Sequence, residues 1–157
     1  MNGTRPVMYA SDFSPASLVA LPHAIDLAKA TGAELIIIHV LPSPIPIVAD
    51  VTYMDQETWD RIFAGARAEA HKHLDSLVAR ARETGVHTIG IVVDTGMVSA
   101  PAEAIVRAAK DKAAGTLVLG THGRTGVAKF FLGSVAARVV ATAPCPVLTV
   151  RAPESPE

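Results

Sequence analysis

Five short, largely apolar runs recur along the chain, and each is bounded by residues that favour turns. They comprise residues 7–10, 34–40, 86–93, 116–119 and 146–150. The second run holds three consecutive isoleucines and shows no alternation of polar and apolar positions, a pattern typical of a strand that is covered on both faces. Since parallel sheets are covered on both faces by their crossover helices, these runs predict a parallel sheet.

Amphipathic segments separate the five runs. Residues 16–31 and 59–81 carry apolar side chains every three to four positions, as the buried face of a helix does. Residues 99–115 begin with a hydroxyl N-cap candidate, Ser99, followed by a proline, and residues 134–142 also have a helical pattern. The order β-α-β-α-β-α-β-α-β predicts a single doubly wound α/β domain: a five-stranded parallel sheet with helices on both faces.

Length and composition exclude several classes of protein. The 157 residues are 50% hydrophobic, enough for one domain, which we assign to residues 1–151 with a flexible tail at 152–157. A formal net charge of −1 provides no field that would attract nucleic acid. The apolar runs are too short to span a bilayer, and the single Cys145 is typical of a reducing compartment. We therefore expect a soluble cytoplasmic protein that binds neither nucleic acid nor membrane.

The richest candidate site follows the fourth predicted strand. Ligands of open parallel sheets bind outside the carboxyl ends of the strands, where the winding direction reverses. Segments 10–12, 39–41 and 120–126 reach that edge, and the last has three glycines within seven residues before Gly133 and Ser134 begin a helix. Glycine lets the main chain approach a ligand closely, and a helix N-terminus carries partial positive charge. These features predict a phosphate group as the ligand.

The spacing of these glycines departs from the two common phosphate fingerprints, the P-loop and the dinucleotide G-x-G-x-x-G. It reads Gly120-x2-Gly123-x9-Gly133-Ser134. Together with residues 7–14, Val-Met-Tyr-Ala-Ser-Asp-Phe-Ser, and with residues 144–150, this pattern resembles the universal stress protein family, whose ATP-binding members carry G-x2-G-x9-G-[S/T]. The resemblance covers both ends of the chain and the order of its elements, and it implies an adenine nucleotide alpha hydrolase-like fold.

The resemblance implies an ATP site in which Mg²⁺ is held through the phosphates rather than by a metal site of the protein. Asp12 and Val40 would contact the adenine and ribose, while His122 and Arg124 would lie beside the phosphate chain, near the Ser134 hydroxyl and the loop amides. The residues that the resemblance places at the nucleotide are Ala10, Ser11, Asp12, Val40, Gly120, Thr121, His122, Gly123, Arg124, Gly133, Ser134 and Val135.

The function implied is that of a cytoplasmic stress-response regulatory protein that binds ATP and hydrolyses it slowly or not at all. The loop shows no Walker-type lysine and no acidic metal ligand, both of which favour hydrolysis. The family commonly dimerises through its last strand, which implies a homodimer through residues 146–151 and a separate downstream protein partner. Two alternatives stay open: an ATPase or adenylating enzyme that uses His122 and Arg124, and a scaffold that binds no nucleotide.

Some polar residues have simpler structural roles open to them. Asp12 is a candidate cap for the helix that begins near Pro15, and His39, in a buried strand, is expected to be a hydrogen-bonded core residue. His71 and His73 are two positions apart on a helix, so they point to different sides and cannot chelate a metal together. We predict no catalytic residue and no metal ligand from these patterns.

Overall fold

A computed structural model describes residues 4–41, 55–95, 100–121 and 132–153. The strands are β1 (Val7–Ala10), β2 (Leu35–Leu41), β3 (Thr88–Asp94), β4 (Thr116–Gly120) and β5 (Val147–Val150). The helices are α1 (Pro15–Leu18), α2 (Ala20–Thr31), α3 (Gln56–Glu83), α4 (Pro101–Asp111) and α5 (Ser134–Thr142). All neighbouring strands pair in parallel, in the order β3-β2-β1-β4-β5. The predicted fold class, a doubly wound five-stranded parallel sheet, is confirmed.

Two apolar cores lie on opposite faces of this sheet. Successive side chains of a strand point to opposite faces, so Val7 and Tyr9 pack with α2 and α3, whereas Met8 and Ala10 pack with α4 and α5. Tyr9 lies in register with Ile37 on one side and Val118 on the other, and all three are fully buried. This burial on both faces is why the strands lack polar alternation.

The winding direction reverses at β1, the central strand. The chain runs outward from β1 to β2 and β3, then returns across the sheet to add β4 and β5 on the other side of β1. The connections that leave the carboxyl ends of β1 and β4 therefore pass to opposite faces of the sheet, and a crevice opens between them. The candidate site is therefore expected in this crevice, at the carboxyl ends of β1 and β4.

The first predicted helix, residues 16–31, is divided in the structure. It consists of α1 and α2, which are separated at Val19. Pro22 has no amide hydrogen to donate to the Leu18 carbonyl, so the regular helical hydrogen bond is missing at this point.

The third predicted helix is shorter than expected. It begins at Pro101 with Ala100 as its N-cap, so the prediction that Ser99 is the cap is wrong. It ends at Asp111 rather than near Gly115, because Ala113 adopts a left-handed φ of 50° that a helix cannot continue through.

The remaining boundaries agree closely with the sequence patterns. α5 coincides with the predicted helix 134–142, and β5 begins one residue after the predicted run. No helix in the described ranges is long and apolar enough to cross a bilayer. The division into a domain at 1–151 and a tail at 152–157 stays a prediction.

Candidate functional site

A cavity of about 340 Å³ opens at the carboxyl ends of β1, β2 and β4. It lies at the reversal of winding, between the turn that follows β1 and the first turns of α4 and α5. The structure brings together every predicted site residue that it describes, and those residues line this one cavity: Ala10, Ser11, Asp12, Val40, Gly120, Thr121, Gly133, Ser134 and Val135. The predicted residues His122, Gly123 and Arg124 lie outside the described residues.

Asp12 occupies the turn between β1 and α1. Its Oδ1 accepts a hydrogen bond from the Ser14 amide at 2.9 Å, and Ser14 in turn caps α1 by accepting from the Ser17 amide at 3.1 Å. The prediction that Asp12 caps this helix is therefore wrong, because its carboxylate instead closes a local turn from Asp12 to Ser14, ahead of the helix. Within the described part of the chain Asp12 Oδ2 accepts no hydrogen bond, which leaves it available to a ligand donor.

Buried hydroxyl groups of Tyr9, Ser11 and Ser17 form hydrogen bonds next to this turn. The Tyr9 hydroxyl donates to the Ser17 carbonyl at 2.9 Å, and Ser17 Oγ donates to Ser11 Oγ at 3.2 Å. Burial raises the pKa of the Tyr9 phenol, against the opposing effect of hydrogen bonding with Ser11 and Ser17, so Tyr9 stays a neutral donor. Ser17 lines the cavity but was missed in the sequence, where it reads as an ordinary residue of a helix first turn.

His39 connects β2 to the same turn. It is 4% exposed, and its Nδ1 lies 2.8 Å from the Ser11 carbonyl oxygen. A carbonyl can only accept, so Nδ1 carries the proton. The prediction of a hydrogen-bonded core histidine is confirmed. His39 also lines the cavity, at the sheet edge that segment 39–41 was predicted to reach, although it was not among the predicted site residues. On the exposed face of α3, His73 Nε2 lies 3.1 Å from Glu69 Oε1.

The N-terminus of α5 forms the opposite wall. Gly133 is the N-cap residue and provides no side-chain cap, while its own amide donates to the Thr121 carbonyl at 2.7 Å. The first intrahelical bond runs from the Ala137 amide to the Gly133 carbonyl at 2.8 Å. The amides of Ser134, Val135 and Ala136 precede that bond, so they have no helical acceptor and carry the partial positive charge of the helix end.

Gly120 has a structural reason to be glycine. A Cβ placed there would lie 2.7 Å from the Ala16 carbonyl oxygen and 3.1 Å from Ser17 Cα. The main chain of α1 thus packs directly on the end of β4, where no side chain would fit. This contact places α1 directly against the end of β4, beside the cavity that Gly120 lines.

Apolar side chains cover the rest of the wall. Ile38, Val40, Ile105 and Leu119 line the cavity, and all belong to the core on the α4 and α5 face of the sheet. Such a surface suits a flat ring system, whereas Asp12 and the α5 amides suit polar groups of a ligand. The described residues include no group of three or more His, Cys, Asp or Glu side chains close enough to share a metal ion.

Comparison with known proteins agrees with this architecture. The model of the universal stress protein family matches residues 3–151. Universal stress protein MJ0531 of Methanocaldococcus jannaschii is 34% identical over 151 residues, which cover 96% of this chain and 84% of that protein.

Two solved structures share the fold. That of protein MJ0577 of the same organism superposes with a TM-score of 0.80 over 97% of this chain and 99% of its own, at 24% identity. A universal stress protein in complex with cAMP is 26% identical, with a TM-score of 0.63 over 96% of this chain and 98% of its own. On the match of the family model and the identity with MJ0531, the chain belongs to the universal stress protein family.

Proposed function

We propose that this chain is a cytoplasmic regulatory protein that binds ATP, with Mg²⁺ on the phosphates, in the cavity between β1 and β4. The observation that carries the proposal is the chemistry of one cavity. It combines an apolar wall, a carboxylate oxygen that accepts from no donor among the described residues, and a helix N-terminus whose N-cap residue, Gly133, supplies no side-chain cap. A nucleotide has a matching group for each of these surfaces: a flat base, ribose hydroxyls and phosphate oxygens.

The nucleoside is assigned to the side of the cavity that β1 and β2 form. The Asp12 carboxylate accepts from a ribose hydroxyl through Oδ2, while Oδ1 keeps its bond to the Ser14 amide. Val40 is half-buried at the end of β2, and its main chain would border the base. Ala10 and Ser11 complete this wall beside Asp12.

The phosphates are assigned to the side that β4 and α5 form. Amide groups at the N-terminus of a helix donate to anions and place them at the positive end of the helix dipole. Ser134 and Val135 would supply these donors together with the Ser134 hydroxyl, and Gly120, Thr121 and Gly133 border the same space. His122, Gly123 and Arg124 would complete the phosphate side, as the sequence pattern indicates.

A relative supports adenine as the base. The universal stress protein solved in complex with cAMP has the same fold at 26% identity. Cyclic AMP has adenine, ribose and phosphate in common with ATP, so a cavity of this chemistry serves either ligand. The size of about 340 Å³ falls in the usual range for small-molecule pockets, roughly 300–1,000 Å³.

Homodimerisation through the last strand is part of the proposal. β5 lies at the edge of the sheet, and Leu148 on it is 39% exposed. A second copy pairing through residues 146–151 would cover this edge and its apolar side chain. Multi-angle light scattering with and without ATP tests the dimer, and a monomer at all concentrations would contradict it.

Calorimetric titration with Mg²⁺–ATP tests the site. Gly133→Val and Gly123→Val each add a branched side chain to the glycine pattern and are expected to abolish binding. Gly65→Val is the matched control, because Gly65 lies in α3 with no heavy atom within 4 Å of an added Cβ. Equal affinity in the wild type and all three variants would refute the assignment.

Two further measurements complete the test. Mass spectrometry of protein purified without added nucleotide identifies any ligand that it retains, and an adenine nucleotide is expected. Phosphate release during long incubation with ATP should stay far below the enzymatic range of about 1–1,000 s⁻¹. Turnover at such rates, lost in His122→Ala, would instead identify an ATPase.

A further inference from the structure

Phe13 has a main-chain conformation that side-chain-bearing residues disfavour. Its φ is 64°, in the left-handed region, where the Cβ of an L-residue crowds the backbone. A phenylalanine persists there when its surroundings hold it in place, and such residues cluster at functional sites. Phe13 directly follows Asp12, the acidic residue on the cavity wall.

Two histidines from different elements hold the Phe13 ring. The His39 ring of β2 stacks on it with centroids 4.1 Å apart and planes 19° apart. The His73 ring of α3 contacts it at 5.3 Å and 39°. The Phe13 ring also packs against the core on the α2 and α3 face, behind the cavity wall, and it does not line the cavity.

The left-handed residue sits between two hydrogen bonds that shape the turn. Its own amide donates to Ser11 Oγ at 3.1 Å, and the next amide, of Ser14, donates to Asp12 Oδ1 at 2.9 Å. The stacking partner His39 also donates to the Ser11 carbonyl at 2.8 Å. The position of the Asp12 carboxylate therefore depends on Phe13 staying left-handed, because a change of φ there would separate the Asp12 oxygen from the Ser14 amide.

We propose that Phe13 is a positioning residue for the nucleotide: stacked on His39 and in contact with the His73 ring, it holds the turn that presents Asp12 to the ligand. This role rests on the function proposed above. It predicts that Phe13 strengthens binding through Asp12 and makes no contact with the ligand itself.

Titration with Mg²⁺–ATP of Phe13 variants tests the role. Phe13→Ala is expected to weaken binding about tenfold, equivalent to about 1.4 kcal/mol, whereas Phe13→Tyr keeps the ring and the affinity. Phe13→Leu keeps apolar volume but loses the stacked ring, so it should weaken binding in the same direction. Leu27→Ala is the matched control, because Leu27 is a partly buried residue of the same core, in the last turns of α2. Its affinity should equal that of the wild type.

A double-mutant cycle separates positioning from general loss of structure. In an Asp12→Asn background, which keeps an oxygen for the Ser14 amide, Phe13→Ala should cause less than about a twofold further loss. A full tenfold loss in that background, or no loss in the wild-type background, would overturn the role of Phe13. Failure of the wild type to bind ATP would overturn the proposed function and this role with it.

Discussion

Replacing Gly120 by alanine is expected to destabilise the fold, because the main chain of α1 lies directly against this glycine. The added Cβ would be 2.7 Å from the Ala16 carbonyl oxygen and 3.1 Å from Ser17 Cα. Ordinary contact begins near 3.4 Å, so the oxygen would have to move by about 0.7 Å. Both obstacles are main-chain atoms, which cannot rotate away as a side chain can.

The size of the effect follows from this geometry. Overpacking a close-packed interior costs about 1–3 kcal/mol, and backbone obstacles place Gly120→Ala in the upper half of that range. For a domain of this size each kcal/mol lowers the melting temperature by about 2–4 °C, so we expect a decrease of about 4–12 °C. The shift of α1 would also move Ser17, whose hydroxyl bonds Ser11 beneath the cavity.

Urea unfolding monitored by far-UV circular dichroism measures the free energy of unfolding. Gly65→Ala is the matched control, since no heavy atom lies within 4 Å of an added Cβ in the middle of α3. Alanine is a better helix former than glycine, so this variant should be more stable by about 0.5–1 kcal/mol. If Gly120→Ala unfolds at the wild-type urea concentration, or shifts in the same direction as Gly65→Ala, the packing argument is refuted.

Three further outcomes are expected. Gly90→Ala should lower the melting temperature, because the added Cβ would lie 2.9 Å from Leu74 Cγ of α3. An unchanged melting temperature would show that the Leu74 side chain moves aside at no cost. Burial raises the pKa of the Cys145 thiol, so its alkylation by iodoacetamide should reach half-maximal rate above the ordinary pH 9.0, and a midpoint below that would contradict burial. Hydrogen bonds from Thr58 lower the pKa of Asp55 in the folded state below its ordinary value of 3.8. The ionised Asp55 carboxylate therefore stabilises the fold fully above pH 3.8, and this stabilisation is lost as the pH falls through the folded-state pKa. Asp55 is the N-cap residue of α3, so thermal melts of wild type and Asp55→Ala should differ at neutral pH and converge in acid, and a constant difference would contradict this capping role.

The sheet and the edge that carries the candidate site could be predicted from local patterns. Unalternated apolar runs, as in residues 34–40, report burial on both faces, and the glycines after the fourth run mark where a main chain can approach a ligand. Such signals are readable because they depend on a residue and its near neighbours. The described members of the predicted site set accordingly line one cavity.

The strand order and the support of the site could not be predicted in this way. His39 hydrogen-bonds to Ser11, 28 residues away in the sequence, and the residues around neither of them indicate this contact. Phe13 lies in a common polar turn, and its left-handed φ accompanies ring contacts with β2 and α3, which no neighbouring residue indicates. Gly120 was assigned to phosphate binding from its place after the fourth strand and from the family resemblance, whereas its contact with α1 also excludes a side chain.

The sequence by itself determined the succession of strands and helices and the glycine-rich edge, because burial periodicity and turn chemistry are properties of short segments. The tertiary structure decided which elements became neighbours of β1, and thereby which side chains hold Asp12 in place. Contacts between distant segments depend on how complete elements pack, and no short stretch of sequence records that arrangement.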